Sequence, residues 1–148
     1  MPHPLHQFVC ATALSVTLGC GVVTAIQSGR GARPLISHIQ EAIGSLPADC
    51  GYFNALATGD EPRPDRLRAA VACIGASARG AKPAWFRVYA QGFDSQVAYG
   101  LMVGPDGSIR HFVYDSDPSG GSGAGSRFTA TPCPTPEVEG ERVRCEPR

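Results

Sequence analysis

The sequence predicts an α+β domain: N-terminal helices packed on one face of an antiparallel meander sheet of four or five strands, stapled by disulfides. Three observations carry this. Apolar residues recur at helical spacing between Pro34 and Gly80, the pattern changes to strand-like alternation from Ala84 onward, and Cys50, Cys73, Cys133 and Cys145 are spread widely along the same span. Helices first and strands afterwards are the order expected of two segregated layers.

Pro34 suits the first turn of a helix, and Leu35, Ile39, Ala42, Ile43 and Leu46 then form one apolar face up to Gly44-Ser45 and the stop at Pro47. Asn54 to Arg63 is loop by its Gly, Asp and Pro content. Pro64-Asp65 opens a second helix with Leu67, Val71, Ile74 and Ala78 on its stripe, ending near Gly80. Cys73 falls off that stripe by about a third of a turn, which points it sideways toward Cys50.

Trp85 to Ala90 is aromatic and β-branched, Gly92-Phe93-Asp94 supplies a turn, and Gln96 to Val103 places Val97, Tyr99, Leu101 and Val103 on one face. Pro105-Asp106-Gly107 is a hairpin signal. It leads into Ile109 to Asp115, with Ile109, His111 and Val113 on one side and Arg110, Phe112 and Tyr114 on the other. Ser116 to Ser126 is a Gly/Ser-rich loop, Arg127 to Thr131 a fourth strand, and Arg142 to Cys145 a short fifth.

The four cysteines lack the Cys-x-x-Cys spacing of zinc or thiol-redox sites, so they read as disulfides. Three connectivities are open to them. Sequence order favours Cys50 with Cys73 and Cys133 with Cys145, the latter bracketing Pro134-Thr135-Pro136 and Gly140, which can fold back as a hairpin-like loop. The 13 Lys+Arg balance the 13 Asp+Glu, and the arginines are scattered, which excludes a nucleic-acid footprint.

Phe8 to Val23 is an uncharged apolar run, short for a membrane span, and residues 1–25 read as an export signal. Val23-Thr24-Ala25 offers a cleavage site leaving Ile26 first. Thr17-Leu18-Gly19-Cys20 resembles the lipobox of bacterial lipoproteins, with Thr17 where Leu is usual, and implies lipidation of Cys20. Residues 26–33 then form a tether and 34–148 a single domain. Export makes the location periplasmic, outer-membrane-anchored or secreted, with membrane contact only through the signal or a lipid.

The best candidate site is Tyr114-Asp115-Ser116-Asp117-Pro118-Ser119-Gly120-Gly121. Asp115, Asp117 and Ser119 repeat the one, three, five oxygen spacing of a calcium loop, with Gly120 at the turn. The twelfth position is Ser126 rather than Glu, and the flanks are strand-like. Calcium is therefore the one cofactor the sequence suggests, against a plain turn in which the Asp side chains accept backbone amides. Asp94 and Ser95 in Gly92-Phe93-Asp94-Ser95 form a second polar cluster. With His111 and Asp115 it holds the groups for acid/base chemistry, yet His111 shares its face with Ile109 and Val113. The chain carries no nucleophile elbow, metal-binding helix or phosphate-cradling loop, which points away from an enzyme.

Asp49-Cys50-Gly51, Gly92-x-Asp94-Ser95 and the Tyr114-to-Gly121 run together resemble a group of small exported proteins of high-GC bacteria with no assigned activity; the likeness spans about Asp49 to Cys145. In outline the body is similar to cystatin-like domains, a likeness of fold alone. The expectation is an exported cell-envelope protein with a non-enzymatic binding or structural role toward an envelope or extracellular protein or a small ligand. The alternatives are a calcium-dependent binding module built on the Asp115-to-Gly121 loop and a small hydrolase using Asp94, His111 and Asp115.

Overall fold

The computed structural model describes residues 32–120 and 125–145. Among these residues the elements run α1 (Leu35–Ile43), β1 (Ala48–Asn54), α2 (Pro64–Arg79), β2 (Ala84–Gln91), β3 (Gln96–Val103), β4 (Ile109–Asp115), β5 (Arg127–Pro132), β6 (Pro136–Glu139) and β7 (Arg142–Cys145). Strands β1 to β5 form one sheet in that order, and β6 pairs with β7 in a separate hairpin. The proposed export signal, Cys20 and residues 26–31 of the tether lie outside the described residues, as does Gly121 of the candidate loop.

The α+β class, the helices ahead of most strands and both disulfides agree with the sequence reading; the expected fifth strand, Arg142–Cys145, pairs with β6 in the separate hairpin instead of joining the meander, and two further features of the architecture differ. First, the sheet is mixed: β1 is parallel to β2, and every other pair is antiparallel. A parallel pair needs a long crossover, and α2 is that crossover. β1 escapes the sequence because Ala48-Asp49-Cys50-Gly51 has low strand propensity and only Tyr52-Phe53 favours it. Second, the helices lie on opposite faces. Adjacent residues Trp85 and Phe86 are both buried, Trp85 in the cluster with α1 residues Leu35, Ile39 and Ile43, and Phe86 in the cluster with α2 residues Leu67, Ala70 and Ile74. A strand with both sides buried needs cover on both faces.

The α2 face is closed over β1 to β3. Phe53, Phe86, Val88, Leu101 and Val103 meet Leu67 and Ile74 there, and Val138 and Val143 of the β6–β7 hairpin pack against the same cluster. Full burial of each large apolar side chain stabilises the fold by roughly 1.5–3 kcal/mol. Both disulfides close this layer. A register shift between Asp49 and Gly51 sets Cys50 out of the ladder, where it bonds Cys73 of α2 at a sequence separation of 23, and the buried Cys133 bonds Cys145 across 12 residues.

The α1 face is covered only in part. α1 has nine residues and packs on Ala98 and Met102 of β3, Phe112 and Tyr114 of β4, and Phe128 and Ala130 of β5. It ends where Gly44 adopts φ 74° and donates its N–H to the Gln40 carbonyl at 2.7 Å, which leaves Leu46 beyond the helix and exposed. Arg110 donates from Nη2 to the Ala42 carbonyl at 2.9 Å, a cation at the negative end of the helix. The α1-side residues of β1 and β2 extend past this cover.

Candidate functional site

Where α1 stops short, the sheet carries a groove of about 990 Å³. The register builds its floor: Tyr52 pairs with Arg87 and Asn54 with Tyr89, so these four side chains and Trp85 share the α1 side of the sheet. The Arg87 guanidinium lies 4.4 Å from the Trp85 ring centroid and 5.1 Å from that of Tyr52, and donates to Asp49 at 2.9 Å. Two rings and a carboxylate therefore fix one cation in place. Tyr52 and Tyr89 sit 5.6 Å apart in a tilted pair. Burial pushes the Tyr89 phenol up against the opposing pull of Arg87.

Two loops raise the walls. The β2–β3 turn presents Phe93, 97 % exposed, beside Asp94 and Ser95, and the loop after β1 presents Leu56, 64 % exposed. Gly92 closes that turn with its N–H on the Ser95 carbonyl at 3.0 Å, and a Cβ on Gly92 would lie 2.4 Å from Ser95 Oγ. Asn54 Oδ1 accepts the Leu56 N–H at 3.0 Å, which orients its amide and the loop together. The far wall is the start of α1 with Tyr114, Ser116 and Asp117. Ser116 locks this end: its Oγ accepts the Gln96 N–H at 2.8 Å and its own N–H returns to the Gln96 carbonyl at 3.0 Å.

The residues singled out in the sequence are thereby divided. Asp94 and Ser95 line the groove with Asp117, and Gly120 stands close enough that a Cβ there would be 3.9 Å from the Asp94 carboxylate. His111 faces the other side of the sheet, in a smaller hollow with Tyr99, Val113, Arg142 and Val143. Burial lowers its pKa. Asp115 pairs with Val97 and lines neither concavity. Asp94, His111 and Asp115 thus form no common site, because alternation sends His111 and Asp115 to the face away from the groove.

In the candidate calcium loop, Asp115 Oδ1 accepts the Asp117 N–H at 3.0 Å and Asp117 Oδ1 accepts the Ser119 N–H at 3.3 Å, two successive turns of the kind short carboxylates make. The one, three, five spacing that suggests a cation here is also the spacing of these turns. No cluster of three or more metal-ligating side chains occurs among the described residues. No protein-family model, curated protein or solved structure matches this chain.

Sequence reasoning missed the groove's floor and one polar cluster. The floor's signal is present as Trp85, Arg87 and Tyr89 at every second position, but their shared side becomes a floor only with β1 as their neighbour. In the polar cluster, Ser126 Oγ lies 3.0 Å from His38 Nε2 and accepts the Arg33 N–H at 3.1 Å, while His38 stacks on Phe128 at 5.2 Å. Burial, then the nearby Arg33, lowers the His38 pKa. The Glu41 carboxylate is held by Arg33 at 2.8 Å, and Tyr114 donates its hydroxyl to the Arg33 carbonyl at 2.9 Å. The group clasps the chain entering α1 to the start of β5. It does not form a serine–histidine–carboxylate relay, because the carboxylate is committed elsewhere.

Proposed function

We propose that this is an exported binding domain of the cell envelope, without catalytic activity, whose ligand occupies the groove between α1 and the ends of β1 and β2. One observation carries the reading: Phe93 and Leu56 are exposed at the lips of a concavity floored by fixed aromatic and polar side chains. Exposing a large apolar group to water without a partner gains nothing, and a pocket with a partly apolar wall and a few oriented polar groups is the usual form of a small-ligand site. The two disulfides suit an oxidising compartment. The separation of His111 from Asp94 argues against the hydrolase alternative.

A fragment screen followed by amide NMR tests the site. Hits are expected to move the amides of Asn54, Tyr89, Phe93 and Ser95 and to lose affinity in Phe93→Ala. Hits that cluster instead around His111 and Arg142 would overturn the assignment. Export is tested by N-terminal mass spectrometry of protein recovered from the envelope, which should begin at Ile26 or at lipidated Cys20, and an intact Met1 would overturn it.

A further inference from the structure

We propose that the groove takes a neutral oligosaccharide; this rests on the binding reading above and adds the ligand's chemical class. The charges and polar groups along the groove select it by elimination. Among the described residues that line it, the one cation, Arg87, is neutralised by Asp49 at 2.9 Å and covered by the rings of Trp85 and Tyr52, while Asp94 lines the wall, so an anionic ligand meets repulsion there. A cationic ligand is drawn to Asp94 at the wall but repelled over the floor, where Arg87 occupies the Trp85 face and denies it the aromatic ring. A wholly apolar ligand would strip water from Asn54, Gln91, Asp94 and Gln96, all of which line the groove, without replacing their hydrogen bonds.

What remains is a ligand with flat apolar faces and a rim of groups that both donate and accept. A pyranose ring has that form. Its C–H face suits the exposed ring of Phe93, and its hydroxyls suit side-chain amides and a carboxylate. Asn54 commits Oδ1 to the Leu56 amide and so offers its N–H groups, Asp94 offers acceptors, and the neutral Tyr89 hydroxyl can do either. The groove's 990 Å³ and open form suit several linked rings better than one. A polar peptide shares some of this chemistry, but an extended strand would add to the outer edge of β1, beside the groove, and not to its floor, where β1 and β2 are paired with each other.

The test uses the protein as exported and four probes: cellotetraose, the N-acetylglucosamine tetramer, the cationic glucosamine tetramer, and the capped peptide Ala-Leu-Phe-Ala. Trp85 is the single tryptophan of the chain and lines the groove, so its emission reports occupancy, with amide NMR locating the site. At least one neutral tetramer should bind saturably, shift the Phe93, Asp94 and Asn54 amides, and bind about three- to tenfold more weakly to Phe93→Ala, the loss expected for one aromatic contact. Phe93 is almost wholly exposed, so that variant folds as the parent does. Tighter binding of the glucosamine tetramer than of its acetylated form would overturn neutrality. Binding of the peptide alone at the same amides would overturn the sugar while leaving the groove a binding site. If no probe moves those amides, the carbohydrate class falls, and the fragment screen separately decides whether the groove binds anything.

Discussion

The two faces of the sheet are built from neighbouring residues of the same strands and come out opposite in character. The α2 face is packed over β1 to β3, bonded by Cys50–Cys73 and Cys133–Cys145 and overlaid by both a 16-residue helix and a hairpin. The α1 face has a nine-residue helix that reaches from β3 to β5 and leaves the side chains of β1 and β2 standing in a groove. The difference shows how a small domain can hold a concave polar surface open. Stability is concentrated on one face, so the other can keep Phe93 and Leu56 in water and leave Asp94 without an ion-pair partner among the described residues.

This contrast is most sharply broken from the α2 side. Leu101 is fully buried between β2 and β4 on the α2 face, and Leu101→Ala should destabilise the domain by about 2–5 kcal/mol in denaturant titration. A loss below about 1 kcal/mol would mean that this face is loosely packed. Replacing Cys133 and Cys145 together by serine should cost about 3 kcal/mol, the loop-entropy figure for a closed loop of about this length, and should loosen the β6–β7 hairpin before the main sheet. Hydrogen exchange resolved by residue would show this as faster exchange at Val138 and Val143. Uniform loss of protection across the sheet would show instead that the hairpin and sheet unfold as one unit.

A smaller effect comes from pH. The His111 pKa is lowered from 6.5 by burial, so the unfolded chain binds a proton more readily than the folded one. Its contribution is intact above pH 6.5 and is lost as the pH falls from there through the lower folded value. His38 acts in the same direction from the α1 face, with Arg33 adding to the effect of burial. Thermal melts should therefore drop as pH is lowered below about 6.5, and His111→Leu should flatten the part of that slope which belongs to the α2 face. An unchanged slope would assign the whole effect to His38. The smallest effect on stability is that of Phe93→Ala, within about 0.5 kcal/mol of the parent, although it should weaken ligand binding.

Local chemistry determined much of this molecule. Pro34 and Gly44 delimit α1, Pro64 opens α2, Gly107 at φ 77° closes the β3–β4 turn, and the alternation from Trp85 onward sets the inward and outward sides of β2 to β4. Such features depend on residues within a few positions of one another, and so they can be read in order along the chain. The pairing of Cys50 with Cys73, one of three connectivities open to the sequence, agrees with a side chain standing off its helix's stripe. What only the tertiary structure decided depends on partners distant in sequence. β1 is a strand because β2, some 36 residues on from Ala48, pairs with it (Ala48↔Ala84), and that pairing turns α2 into a crossover and sends α1 to the opposite face. The groove follows from the same event, since Tyr52 and Asn54 become neighbours of Arg87 and Tyr89 only through the parallel register. Asp94, Ser95 and Asp117 were visible as polar turn residues. Their convergence, and the removal of His111 from their company, come from sheet pairing that sets which side chains share a face.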